Sequence, residues 1–355
     1  MKKNLQILQE IRQQSGCKIL LAQKAFSMYS CYPLIGEYLD GTTASGLYEA
    51  KLGKECMGKE NHIFSPAYRE DEFEEVLANC EHLVFNSFSQ LEKFGERAAN
   101  AGKSVGIRVN PECSTQEEHA IYDPCAPGSR LGILASEFPE TLPSYVEGLH
   151  FHTLCEQNAD ALEITLKAVE EKFGKWMKQL KWVNFGGGHH ITRADYDREL
   201  LISCVRRIQD TYNVQVYLEP GEAVALNAGH LITTVEDIVH NDITVLDVSA
   251  ACHMRDVIEM PYRPPLFDSG EAKEKEYTYL LGGPTCLAGD VIGSYSFDQP
   301  LKVGDRLTFG DMAIYTTVKN NTFNGMRLPD IVWERESGEC EIVKSFGYED
   351  FKCRL

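Results

Sequence analysis

Lys24, His152, the run Gly186-Gly187-Gly188 and Glu219 are the positions in this chain whose residue types could act together on one small ligand. A lysine held among apolar groups loses part of the solvation of its ammonium form and becomes an amine able to condense with a carbonyl. Successive glycines leave backbone N–H groups uncovered by side chains, which suits a phosphate dianion near the start of a following helix. A flat imidazole can lie on an aromatic ring, and a carboxylate can hold a proton on a ring nitrogen. One at a time these readings are weak, because a lysine is usually a surface residue, a glycine run a turn and a histidine a satisfied core group. Their placement along the chain gives them weight.

Short β-rich runs at residues 18–21, 41–43, 62–64, 82–85, 105–109, 148–151, 182–185 and 216–218 alternate with segments of helical period, the pattern of βα units around a parallel sheet. Helices are expected at 71–79, 90–101, 160–179 and 193–212. Eight units spell an α/β fold of the TIM type, a (β/α)8 barrel over residues 1–228. Beyond Gly221 the texture changes to short strands at 230–239, 242–248, 277–281, 306–309 and 313–317, so residues 229–355 read as a C-terminal β-domain, sandwich-like or barrel-like. The Pro- and charge-rich stretch 254–275 reads as a loop, mobile at 270–275. In a barrel the C-terminal ends of the strands carry the active site. Lys24 follows the first run, His152 the sixth, the glycines the seventh and Glu219 the eighth. Closure sets the eighth strand beside the first, so one ligand can meet all four positions. Pyridoxal 5'-phosphate offers each a match: an aldehyde, a ring face, a phosphate and a ring nitrogen.

Composition narrows the class. With 43% hydrophobic residues over 355 positions the chain can fill a large core, and it shows neither a membrane-spanning run nor an apolar leader, so a cytoplasmic location is expected. A net charge of −18 disfavours nucleic acid and favours a cationic substrate. The 12 cysteines are scattered without a C-x-x-C pair, which leaves zinc and redox motifs unsupported and free thiols expected. A metal hydrolase is suggested only by His150-x-His152 and His189-His190, and no metal is expected.

The segments LLAQKAFS, GLHFHTLCE, NFGGGHH, LEPGE, GGPTCLAGD and MAIYTTVKNNTFNG resemble the fold-type III pyridoxal-phosphate decarboxylases, the group of ornithine and diaminopimelate decarboxylases. The stretch HMRDVIEMPYRPPL resembles in particular the carboxynorspermidine (carboxyspermidine) decarboxylase branch of that group. The likeness spans nearly the whole chain. It implies Lys24 as the lysine that binds the cofactor covalently, His152 stacked on its ring, Gly186, Gly187, Gly188 and Tyr315 at its phosphate, and Glu219 at its pyridine nitrogen. It also implies a homodimer with shared active sites, in which Cys286 and Asp290 of one copy serve the other. Loss of CO2 leaves a carbanion at Cα that needs a proton, and a thiol of ordinary pKa, about 8.5, is a workable acid, so Cys286 is the expected donor.

Two departures from the group stand out. The group usually reads EPGR where this chain reads EPGE, which sets Glu222 near a phosphate; such a charge is costly unless a cation neutralises it or the side chain turns away. The chain also opens on helical period at residues 2–13, where the group usually has a strand. For the substrate, a carboxylated polyamine carries two ammonium groups beyond its reacting amine, and Glu222 and Asp256, with Asp290 next, are the expected carboxylate partners. Diaminopimelate is the alternative and would need Arg255 or Arg263 for its distal carboxylate. A racemase is disfavoured by Glu219, since related racemases place an arginine at the ring nitrogen, and a non-catalytic cofactor-binding protein is disfavoured by the second domain.

Overall fold

The strand runs become a closed parallel barrel because their residues are buried on both faces. The computed structural model describes residues 1–116 and 120–355, and the chain divides into two units, Met1–Leu226 and Asn227–Leu355. In the first unit lie β1 (Lys18–Ala22), β2 (Gly41–Ala44), β3 (Glu60–Phe64), β4 (His82–Phe85), β5 (Ser104–Asn110), a two-residue β6 (Ile133–Leu134), β7 (Val146–His150), β8 (Trp182–Asn184) and β9 (Gln215–Leu218). Each neighbouring pair is parallel, β1 lies between β2 and β9, and pairing of β4 with β5 closes the ring of eight, while β6 pairs only with β5. Near-continuous apolar sequence such as that of β1 is what double-sided burial requires.

Leu20, Val84, Trp182 and Tyr217, from four different strands, form one buried cluster with Phe64 against it, the filled centre of the barrel. Trp182 fits because glycines face it: a Cβ at Gly106 or Gly148 would lie 2.3 or 1.9 Å from the indole. Lys18, Glu60 and His82 begin their strands and close the N-terminal end with His62: Glu60 takes Lys18 Nζ at 2.5 Å, Tyr217 OH at 2.8 Å and His62 Nε2 at 2.9 Å, and the His62 ring stacks on His82 with centroids 4.0 Å apart.

Helices cover the outside. Leu5, Leu8 and Ile11 bury one face of the helix Lys2–Ser15, which ends at Gly16 in left-handed conformation (φ 75°). That helix docks on Arg198–Tyr212, whose Gln209 Nε2 donates to Ser15 O at 2.9 Å. The latter helix starts five residues after the expected 193, because the Asp197 side chain accepts from Leu200 N–H at 2.9 Å and caps it there.

In the second unit β10 (Leu231–Val239), β11 (Ile243–Leu246), β12 (Tyr277–Gly282), β13 (Val291–Phe297) and β14 (Arg306–Phe309) form a sheet of order β13-β12-β11-β10-β14, and β15 (Ile331–Glu334) pairs with β16 (Cys340–Lys344) as a separate hairpin. Val235, Leu246, Leu281, Tyr295 and Phe309 are part of its core. A barrel followed by a sheet domain is the fold class expected. Three details differ. Residues 313–317, expected as a strand, are a turn, with Tyr315 at φ 57° and Thr316 Oγ1 bonded back to Met312 O. β13, β15 and β16 were not anticipated. The stretch expected to be mobile is pinned: Gly270 exchanges backbone hydrogen bonds with Ser296 at 2.8 and 3.1 Å, and Lys275 Nζ pairs with Asp298 at 2.8 Å. Among the described residues no helix is long and apolar enough to cross a membrane, and all 12 cysteines are free thiols.

Candidate active site

Strand ends at one mouth of the barrel bring Lys24, His152, the glycine run and Glu219 to one place. Lys24 lies two residues past β1. It is exposed at the barrel mouth, and the protein around it pushes its pKa down from 10.5, helped by Arg108 and opposed by Glu219 and Glu222. The result favours the neutral amine.

Glu219 directly follows β9 and is 7% exposed. Its Oε1 accepts from Asn184 Nδ2 at 2.7 Å and its Oε2 from His150 Nε2 at 3.2 Å. Burial pushes its pKa up, but the His150 contact and the Asn184 bond outweigh it and hold the carboxyl below its ordinary range. Burial keeps the His150 ring on the neutral side, so it serves Glu219 as an N–H donor. Those donors sit on β7 and β8 at positions the sequence analysis did not single out for this role.

His152 is likewise held neutral, first by burial and then by Lys24 and Arg108. Its Nδ1 accepts from Gly187 N–H at 3.0 Å, which places the ring proton on Nε2. Arg108, buried on β5, donates to His152 O at 3.1 Å and lies 4.4 Å over the Phe64 ring. A lone arginine inside an apolar strand was a readable signal that sequence reasoning passed over. His150 and His152 thus have separate partners and do not converge on one point.

Glycine is required at the run for reasons beyond an open backbone. Gly186 and Gly188 take φ 71° and 82°, and a Cβ at Gly186, Gly187 or Gly188 would lie 2.5, 2.5 or 2.0 Å from a backbone oxygen of Phe151, Glu219 or Leu154. Two of the three N–H groups expected to face a phosphate are engaged inside the protein: Gly186 N–H with Asn184 Oδ1 at 2.8 Å and Gly187 N–H with His152 Nδ1.

The carboxylates expected to read a cationic tail are paired within the chain. Glu222 Oε2 lies 2.7 Å from His190 Nε2, so its partner is a histidine of its own unit. In the second unit Asp256 Oδ1 lies 2.5 Å from Lys319 Nζ, which also reaches Glu259 at 3.2 Å. Asp290 is buried and accepts from Ser249 Oγ at 2.8 Å, Ala251 N–H at 3.1 Å and Thr285 Oγ1 at 2.7 Å, so its oxygens hold the 283–290 turn together. That turn presents Cys286 exposed, its N–H donating to Asn324 Oδ1 at 2.8 Å. Tyr315, in the same unit, lies under Lys319 Nζ, 5.1 Å from its ring centre.

Comparison with known proteins adds an independent finding. The family model described as pyridoxal-dependent decarboxylase, C-terminal sheet domain, matches residues 26–313. A carboxynorspermidine/carboxyspermidine decarboxylase of Campylobacter jejuni is 47% identical over all of this chain and 95% of its own length. A carboxyaminopropylagmatine decarboxylase of Synechocystis sp. is 41% identical over all of this chain and 92% of its own. The crystal structure of the Campylobacter jejuni carboxynorspermidine decarboxylase complexed with norspermidine superposes with a TM-score of 0.92 at 46% identity, covering 99% of this chain and 96% of that one. Diaminopimelate decarboxylase from Helicobacter pylori, complexed with L-lysine, shares the fold at a TM-score of 0.81 and 16% identity, covering 99% and 94%.

Proposed function

We propose that this chain, which belongs to the pyridoxal-dependent decarboxylase family, removes the α-carboxylate of carboxynorspermidine or carboxyspermidine to give norspermidine or spermidine. The observation that carries the reading is Glu219: a buried carboxylate kept ionised by fixed N–H donors, beside a lysine depressed toward its neutral amine. The identity of the relatives supplies the substrate class.

The residues present fit pyridoxal phosphate. Lys24 supplies the amine that takes the aldehyde carbon, the glycine run lets the loop after β8 pack directly on the backbone at Phe151, Leu154 and Glu219, and Glu219 supplies the anion that holds a proton on the ring nitrogen. When bound, the cofactor supplies an electron sink for the pair released as the Cα–carboxylate bond breaks. His152 presents a neutral imidazole beside the glycine run, so it adds no charge to compete with Glu219. Cys286 holds the proton that Cα receives after CO2 has left, and Tyr315 binds at the phosphate. The reading includes a homodimer in which a second copy contributes the Cys286 turn; the exposure of that thiol supports this.

Turnover of carboxynorspermidine, carboxyspermidine, carboxyaminopropylagmatine, meso-diaminopimelate and ornithine, side by side with added pyridoxal phosphate, tests the reading. The first two should be preferred over ornithine and meso-diaminopimelate by at least an order of magnitude. Preference for meso-diaminopimelate would overturn it, and preference for carboxyaminopropylagmatine would move the substrate to a guanidinium-ended tail.

A further inference from the structure

Glu222 follows the Glu219-Pro220-Gly221 turn after β9, and His190 follows the glycine run after β8. Their side chains tie the two loops together at 2.7 Å, with His190 6% exposed. The tie is reinforced by Thr192 Oγ1 donating to Ala223 O at 2.7 Å, by Gln157 N–H donating to Gly188 O at 3.0 Å, and by His190 N–H donating to Gln157 O at 3.3 Å. The glycine loop and the Glu222 turn are therefore one hydrogen-bonded body, and Glu222 is near enough to Lys24 to act on its charge.

A phosphate dianion bound at this loop would feel the carboxylate tied to it, and in a partly buried setting two like charges repel strongly unless one is neutralised. We propose that His190 is a positioning residue for the phosphate end of the cofactor: by clamping Glu222 it cancels the carboxylate's charge, so that affinity for the phosphorylated cofactor follows the charge of the His190–Glu222 pair. The inference rests on the cofactor reading above and deepens it.

Two carboxylates and one guanidinium act on the imidazole. Glu222 lies against it, and Glu156, from the loop after β7, has a carboxylate oxygen within 4.8 Å of the His190 and Glu222 ligand atoms. Arg193, on the same loop as His190, opposes them and is drawn to Asp195 at 2.7 Å. Burial works against the imidazolium, but Glu222 outweighs it and raises the His190 pKa above 6.5. The shift favours the cationic form of His190, which offsets the Glu222 charge when it is present.

The test compares binding of pyridoxal phosphate with binding of pyridoxal, which lacks the phosphate, to the cofactor-free chain by visible absorbance and fluorescence titration. His190→Gln leaves Glu222 unneutralised and should weaken pyridoxal phosphate at least tenfold while leaving pyridoxal within about twofold. The double variant His190→Gln/Glu222→Gln removes both charges and should recover most of the lost affinity, which a merely structural role for His190 would not allow. Should His190→Gln fail to fold, the wild type alone decides: above about pH 6.5 the phosphate is already largely a dianion (second pKa about 6), and the ratio of pyridoxal phosphate to pyridoxal affinity should fall as rising pH removes the His190 proton. Equal losses for both ligands, no rescue in the double variant, or a flat wild-type ratio would each overturn the proposal. A wild type that binds neither ligand would instead overturn the cofactor reading, and this inference with it.

Discussion

A carboxylate that must stay ionised among protein atoms needs donors that cannot turn away, and Glu219 has Asn184 and His150 on neighbouring strands. Glu219→Gln keeps the shape but loses the charge that holds a ring proton, so catalytic rate should fall on the order of 10²–10⁴-fold while Lys24 still captures the cofactor; visible absorbance and steady-state kinetics separate the two effects. An unchanged rate would remove Glu219 from the reaction. Cys286→Ala should also retain Lys24-bound cofactor and lose roughly 10²–10⁴-fold in rate, since the thiol acts after CO2 departs; wild-type rate and product would mean that another acid serves Cα. That Lys24, His152 and Glu219 meet at one mouth of the barrel was legible because each follows a strand run within a distinctive motif. The partners of Glu219 and Glu222 were not, because His150, Asn184 and His190 acquire those roles only when strands far apart in sequence become neighbours. Nor were the intrachain contacts of Asp256 with Lys319 and of Asp290 with Ser249 and Thr285 legible, for the same lack of spatial information.

Strands and helices show where local pattern suffices. The barrel strands were legible because apolar runs bounded by turn residues recur at regular spacing, whereas 313–317 misled because its β-branched and aromatic content suits a strand while its backbone needs a left-handed residue at Tyr315. β13, with alternating sequence VIGSYSF, carried a readable period that was passed over. The start of helix Arg198–Tyr212 depended on Asp197 as cap rather than on helical period upstream. Packing between strands is more exacting than their existence. The Trp182 indole occupies the space of two missing side chains, so Gly148→Ala would put a methyl 1.9 Å from it. Overpacking of this kind costs roughly 1–3 kcal/mol, visible as a lower urea midpoint. Trp182→Phe in the Gly148→Ala background should recover part of that loss, a coupling readable in a double-mutant cycle. Additive losses would show that the glycine serves backbone conformation and not the indole.

At the scale of the whole molecule, a net charge of −18 meets a core containing several neutral histidines, and the two respond to acid in opposite directions. Lowering the pH discharges surface carboxylates and relieves self-repulsion, which by itself would stabilise the fold. The buried histidines do the reverse. Burial, with His62 beside it, lowers His82 from 6.5 to about 3, and burial lowers His189 to about 4. Because their folded pKa values lie below the unfolded value, the unfolded chain binds more protons between those limits. The stability from these rings is complete above about pH 6.5 and is lost as pH falls toward 4. Each such ring contributes a slope of ~1.4 kcal/mol per pH unit once the unfolded imidazole is protonated, so two of them remove about 2 kcal/mol between pH 7 and 5.5. His190, raised by Glu222, works the other way and offsets part of this. Surface repulsion is screened over ~8 Å at physiological salt, so the histidine effect should win: the urea midpoint should be lower at pH 5.5 than at pH 7, and the difference should persist at 0.5 M salt. His82→Gln should flatten the pH dependence by about half. A midpoint that rises on acidification, or a pH effect that vanishes with salt, would mean that carboxylate repulsion and not histidine burial sets the acid response.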